Sequence, residues 1–284
     1  MMQTDKKIMA NDIDVDAAQA RSRKFRRRIL ELSQQVTALH IAPAFSCLEM
    51  VDAIYHEFIR RDPSGAMIDT FMMSKGHGCL AQYVMLEDFG ILSRQDMDDY
   101  CTPRGRLGAH PDYGTPGIAA STGSLGHGMG MAVGMAYADK IEANEKRVFV
   151  VLSDGEMQEG STWEAMMMAS TLKLHNLIAF LDLNDFQSLG RTSETLPGFY
   201  PIVEKIRAFG FECVEVDGHD SRAIARAVFD RQGDKPFFLV GRTTKGRGVS
   251  FMQNVPIWHY RSPNPQEYQA ALAEIDATEI SGAN

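Results

Sequence analysis

The chain lacks any apolar run long enough to cross a bilayer, so no membrane segment is predicted. It is poor in cysteine: Cys47, Cys79, Cys101 and Cys213 are widely spaced and include no CxxC pair. That spacing argues against a zinc site and a disulfide scaffold, and suits reduced thiols in the cytoplasm. Residues Met1 to Asp16 are polar and lack the apolar stretch of a secretory signal. An excess of positive charge is also missing. Lys and Arg number 29 against 37 Asp and Glu, a formal net charge of −8, which gives a nucleic-acid partner no electrostatic support. The local exception is Arg21, Arg23, Lys24, Arg26, Arg27 and Arg28. Phe25, Ile29, Leu32 and Val36 interleave with it at helical spacing, so the cluster reads as the solvated face of a helix. No internal repeat or low-complexity segment is evident.

The 284 residues, 44% hydrophobic and 23% charged, suffice for one large α/β domain or two small ones. A helix is predicted over 16–39, then, after a Pro-containing turn, an amphipathic stretch over 47–60. A short strand over 70–74 feeds Lys75-Gly76-His77-Gly78. The Gly-rich segment 105–134 gives weak cues until Gly128-Met129-Gly130-Met131-Ala132-Val133, whose alternating small and apolar residues suit a tightly packed helix. The clearest unit is a strand over 148–152, a helix over 162–174 and a strand over 177–181. Met166, Met167 and their neighbours on that helix read as core filler. Strands over 211–216 and 237–242 flank a helix over 222–230. This alternation predicts an α/β fold, a mostly parallel sheet with helices on both faces. We expect a single domain over 1–284 in which 1–15 and 266–284 are extensions, the stretch from Pro263 opening with turn residues and ending frayed.

Two strand ends carry the strongest chemical signal. Val148-Phe149-Val150-Val151-Leu152 leads into Ser153-Asp154-Gly155, and Leu177-Ile178-Ala179-Phe180-Leu181 leads into Asp182-Leu183-Asn184-Asp185-Phe186. Ligands of open parallel sheets bind outside the carboxyl ends of the strands, so a carboxylate and an amide reach one rim. With a turn carbonyl they form an oxygen-only set suited to Mg²⁺ carrying phosphate oxygens. The same residues also read as an ordinary Asp-Gly turn with an unrelated Asn. Four histidines stand in loop contexts near glycine or proline: His40, His77, His110 and His259. Singly, each is a surface or hydrogen-bonding residue; together they suggest donors converging on a polar, anionic substrate. Ser121-Thr122-Gly123-Ser124-Leu125-Gly126-His127-Gly128 opens a helix, where free N–H groups and glycines allow close approach to a ring or phosphate.

Taken in order, these motifs resemble the transketolase family, in its amino-terminal diphosphate-binding domain, from about Arg26 to Trp258. The matches are the His40 loop, Ser-Lys-Gly-His at 74–77, His-Pro at 110–111, Thr-Gly-Ser-Leu-Gly at 122–126, Asp-Gly at 154–155, Asp-x-Asn at 182–184, Val-Asp-Gly-His-Asp at 216–220 and Trp258-His259. The resemblance implies a thiamine-diphosphate-binding fold that uses thiamine diphosphate and Mg²⁺. It further implies that Asp154, Asn184 and the Phe186 carbonyl hold the metal. Gly155 would admit the diphosphate, and Gly123, Ser124 and Leu125 would support the cofactor. His77 and His259 would lie near the diphosphate and the reacting centre, and His40 and His110 would bind substrate hydroxyls. Lys245 matches a diphosphate partner, though a surface lysine is its default reading. Glu159 and Glu164 match glutamates at the interface between subunits, and read equally as acids at a helix start. The chain departs from the family pattern at Ile41, Ser153, His127 and Tyr260, which bears on pocket shape and sugar specificity.

In this family a second, pyrimidine-binding domain completes the site, and nothing after Phe251-Met252 has the length to be one. The resemblance therefore implies the amino-terminal subunit of a split transketolase. Such a chain would be inactive without a pyrimidine-domain (C-terminal) partner and would assemble with it as an α2β2 heterotetramer. The reaction would move a two-carbon ketol unit between sugar or sugar-phosphate-like substrates, with the cofactor as electron sink. Other readings are the α-chain of a 2-oxoacid dehydrogenase, a deoxyxylulose-phosphate synthase or a non-catalytic cofactor-binding scaffold. Ser-Lys-Gly-His and Trp-His speak against the first two, and the intact ligand and histidine set speaks against the third.

Overall fold

Asp14 starts the first helix: its carboxylate accepts the Ala17 N–H at 2.9 Å, and α1 (Val15–Ser33) follows. The computed structural model describes residues 13–36, 39–187 and 190–277. The predicted end of α1 is therefore corrected to Ser33, and residues 37–38 of the predicted span lie outside those described. The second helix, α2 (Ile41–Ala53), begins before its predicted start because Pro43 sits in its first turn, where a missing N–H is no loss. Every residue of α2 is buried, and one π-helical turn, Ile54–Phe58, continues it.

β1 (Thr70–Met73) leads through a tight turn to α3 (Cys79–Asp88), and α4 (Arg94–Asp98) starts from a capping box at Ser93. After the Gly-rich loop come α5 (Gly128–Ile141), β2 (Val148–Ser153), α6 (Gly160–Thr171) and β3 (Leu177–Leu183). A small hairpin, β4 (Phe186–Gln187) with β5 (Gly190–Arg191), precedes α7 (Thr192–Thr195) and α8 (Ile202–Ala208). β6 (Glu212–Asp217), α9 (Ser221–Phe229), β7 (Phe237–Arg242) and α10 (Pro265–Ala277) complete the order.

Five strands form one parallel sheet in the order β1-β2-β3-β7-β6. Strand alternation assigns the two faces. Phe149, Val151, Ile178, Phe180, Phe237 and Leu239 join an apolar cluster with Phe25 and Ile29 of α1, Phe45 and Leu48 of α2, Ile224 of α9 and Ile275 of α10. Val148, Val150, Leu152, Ala179, Leu181 and Phe238 join a second cluster with Met129 of α5, Met166 of α6 and Ile206 of α8. The predicted α/β architecture with helices on both faces is thus observed. Among the described residues, no helix is long and apolar enough to cross a membrane.

Three local expectations need correction. Arg26 and Arg28 are buried, not solvated: Arg26 pairs with Glu49 at 2.7 Å, and Arg28 meets Glu87 at 2.8 Å and Asp98 at 3.0 Å. Met167 and Met168 are each 51% exposed, because the turn of α6 that buries Met166 rotates them outward. The stretch read as turn and frayed tail contains α10, whose Ala271 and Ile275 pack into the core beside α1; residues 278–284 lie outside those described.

Candidate active site

The parallel register brings four strand ends to one rim. Met73 pairs with Val151, Ser153 with Asp182, and Leu183 with Arg242. Just beyond the ends of β1, β2, β3 and β7 stand Ser74-Lys75-Gly76-His77, Asp154-Gly155, Asn184 and Thr243-Thr244-Lys245. Gly76 is needed for this convergence: a Cβ there would lie 1.9 Å from the Thr122 carbonyl oxygen of the Gly-rich loop. The Thr122 hydroxyl donates to the Met73 carbonyl at 2.6 Å, pinning that loop to β1.

All four predicted histidines meet here. The His40 ring lies 5.8 Å from His77, 5.6 Å from His110 and 5.4 Å from His259, and His77 lies 5.5 Å from His259. They come from the N-terminus of α2, the turn before α3, the loop after α4 and the turn Pro256–Tyr260. Tyr260 joins them, with its ring 4.5 Å from His40. Burial, reinforced by His110 and two lysines, lowers His40 to about 4. Burial and Lys245 lower His259 to about 3, and burial pushes His77 well below its ordinary range. These three rings are therefore neutral at physiological pH and can each donate and accept one hydrogen bond. Gly123 lies under the His110 ring, where a Cβ would be 3.5 Å from Cγ. Ser124 is exposed and Leu125 half-buried on the same loop.

Lys245 is buried, contrary to its default reading as a surface residue. Its Nζ is 2.8 Å from His259 Nδ1, and burial followed by Lys75 lowers its ammonium to about 8. Beneath it lies a polar core that the sequence does not single out. Lys75 forms an ion pair with Asp182, both fully buried, and donates to the Pro43 carbonyl at 3.0 Å. Asp182 also accepts from Ser46 Oγ at 2.7 Å, from the Thr243 hydroxyl, and from Asn184 Nδ2 at 3.1 Å. Burial alone would raise Asp182 and lower Lys75; their mutual attraction reverses both shifts.

Asp154 behaves differently. Its Oδ1 accepts the Gly155 N–H at 2.9 Å, while its buried Oδ2 has no hydrogen-bond partner. Burial, aided by the charge of Asp182, pushes Asp154 up to about 7. An anionic oxygen without a donor is what a hard cation would satisfy. Asn184 fits the same role, because Ser46 and Asp182 hold its Nδ2 and so fix Oδ1 on the opposite side, where it accepts the Phe186 N–H at 2.9 Å. Gly155 leaves its outer face open, since a Cβ there would meet only Gln187 Cβ at 3.5 Å and Ser153 Oγ at 4.0 Å. Among the described residues, no three His, Cys, Asp or Glu side chains cluster to hold a metal unaided. The protein donors suit an ion that brings further oxygen ligands with its cofactor.

Glu156 is a further buried acid that no motif marks. It accepts from Ser74 Oγ and from the Gly126 N–H at 3.0 Å, and burial raises it to about 7. It thereby ties together the β1 turn, the Gly-rich loop and the Asp-Gly turn. Its only signal in the sequence is an acid directly after the Asp-Gly pair. Glu159 and Glu164 do not enter the cluster. Both are exposed at the start of α6, the same helix as the exposed Met167 and Met168.

Residues 22–265 match the family model described as transketolase, thiamine diphosphate binding domain. One of the two subunits of an apulose-4-phosphate transketolase of Phocaeicola vulgatus is 36% identical over 268 residues, spanning 93% of this chain and 95% of the relative. A 6-deoxy-6-sulfo-D-fructose transketolase subunit of a Clostridium species is 34% identical, covering 88% of this chain and 93% of its own length. Among solved structures, transketolase from Leishmania mexicana superposes with a TM-score of 0.83 at 26% identity, over 93% of this chain but 41% of that protein. With the five-stranded sheet, the rim histidines and this extent of match, the chain belongs to the transketolase family and corresponds to the amino-terminal subunit of its two-subunit members.

Proposed function

We propose that Asp154, Asn184 and the Phe186 carbonyl hold Mg²⁺, and that thiamine diphosphate lies across the rim with its diphosphate on that ion. The observation that carries this reading is the buried, partnerless Oδ2 of Asp154 beside an Asn184 amide locked in orientation. Gly155 offers an open backbone face to the diphosphate, Gly123, Ser124 and Leu125 support the cofactor, and Lys245 supplies a cation. When bound, thiamine diphosphate provides the electron sink for breaking and re-forming the bond beside a ketose carbonyl. His77 and His259 stand closest to that chemistry as neutral rings, and His40 and His110 orient the substrate hydroxyls.

The two-subunit relatives are named for an apulose phosphate and a sulfofructose, both ketoses carrying an anionic group. We take the donor here to be a ketose with such a group. The partner is a pyrimidine-domain subunit, which Glu159 and Glu164 help to meet, and the assembly is an α2β2 heterotetramer in the cytoplasm. Co-purification with and without that partner tests the reading, using light scattering for mass and a ketol-transfer assay with saturating Mg²⁺ and thiamine diphosphate. Turnover is expected only from the complex. Robust turnover by this polypeptide alone would overturn it.

A further inference from the structure

The turn Val216-Asp217-Gly218-His219-Asp220 lies outside the histidine cluster, yet it is built against the strand end that carries Lys245. Gly218 makes this possible: a Cβ there would stand 2.6 Å from Thr243 Cγ2 and 3.1 Å from the Arg242 carbonyl oxygen. The Gly218 N–H instead donates to that carbonyl at 2.8 Å, and the His219 N–H donates to Asp217 Oδ1 at 2.8 Å. The turn is thereby seated on β7, and the His219 ring is directed inward, largely buried.

There the ring bridges two elements. Its Nδ1 lies 2.9 Å from Glu49 Oε2 on α2, and its Nε2 accepts the Thr244 N–H at 2.8 Å. Because a backbone N–H can only donate, Nε2 carries no proton, and Nδ1 holds the proton that it donates to the Glu49 carboxylate. Glu49 is in turn fixed by Arg26 at 2.7 Å, and Arg26 Nε donates to the Arg247 carbonyl at 2.9 Å. Burial opposes the Glu49 charge, but Arg26 and His219 overcome it and hold the acid down to about 2. The chain of contacts runs from α1 and α2 through His219 to Thr244, the residue before Lys245. Lys245 then meets His259 at 2.8 Å.

We propose that His219 is a positioning residue. The Glu49–His219–Thr244 relay sets the strand-end loop so that Lys245 and His259 are aimed correctly into the cofactor site. This rests on the reading of Lys245 as a diphosphate partner. The loop has other anchors, since the Thr243 hydroxyl binds Asp182 and the Gly246 N–H donates to Ala42 at 3.2 Å. Loss of the relay therefore loosens the aim of Lys245 without unfolding the strand.

The test compares His219→Phe, His219→Gln and Lys245→Met in the complex with the partner chain. Phenylalanine keeps the ring and loses both hydrogen bonds, whereas glutamine keeps an acceptor for the Thr244 N–H. His219→Phe is expected to speed amide exchange over 243–249 and to weaken thiamine diphosphate binding by calorimetry about tenfold, the scale of outer-shell losses. His219→Gln should stay within about threefold of the parent. Unchanged exchange over 243–249 in His219→Phe, or a glutamine variant as impaired as phenylalanine, would overturn the relay. Unchanged cofactor affinity in Lys245→Met would instead refute the assignment of Lys245 to the diphosphate, and exchange at Thr244 would still decide the relay.

Discussion

Replacing Lys75 by methionine should cost this chain a large part of its stability. Lys75 and Asp182 are fully buried and paired, and the lysine also holds the Pro43 carbonyl. Methionine keeps the length and fills the space but donates nothing. Asp182 would retain Ser46, Thr243 and Asn184 as donors, all uncharged, so a buried anion would lose its only countercharge in direct contact. Breaking a buried pair from one side costs about 3–5 kcal/mol. At roughly 2–4 °C per kcal/mol for a large domain, the melting temperature should fall by about 6–20 °C. Urea denaturation and thermal melts followed by circular dichroism measure both. The double variant Lys75→Met/Asp182→Asn removes the charge as well as its partner, so it should recover at least about 1 kcal/mol relative to the sum of the single losses. A Lys75→Met protein within about 1 kcal/mol of the parent, or strictly additive losses, would refute this reasoning.

Asp154→Ala should abolish Mg²⁺-dependent binding of thiamine diphosphate in the reconstituted complex, because the remaining amide and carbonyl hold an ion weakly; unchanged affinity by calorimetry would sink the metal assignment. His40→Ala and His110→Ala should lower ketose turnover while leaving cofactor affinity nearly intact, and His77→Ala and His259→Ala should lower both. Release of cofactor by His40→Ala, with normal turnover per bound cofactor, would invert that assignment. The metal-free chain should lose stability as the pH falls from about 6.5 to 5. In this window three depressed histidines take up protons only on unfolding, while Asp154 and Glu156, raised to about 7, keep protons that the unfolded chain releases. The unfolded state then binds a net excess of about one proton, a slope of about 1.4 kcal/mol per pH unit. Urea midpoints across this range check it, and stability that rises on acidification would contradict it.

The sheet was legible because its strands are short apolar runs with turn residues at each end. β7 spans the predicted 237–242, and β2 and β3 differ from prediction only at their carboxyl ends. α2 was less legible, since it is buried on every side and shows no 3.6-residue contrast, and Pro43 masked its start. The site divides along the same line. Asp154 and Asn184 follow strand ends, so local pattern locates them, and the rim then brings the loop histidines together. Lys75, Asp182, Glu49 and Arg26 could not be found that way. Charge in a sequence reads as exposure, and each of these is buried against a partner remote in the chain. That non-local pairing also explains why two neighbouring aspartates have opposite characters. Lys75 neutralises Asp182 and leaves it to orient Asn184, so Asp154 alone keeps a free anionic oxygen. A single buried lysine thus decides which carboxylate of the rim is structural and which is available to a cation.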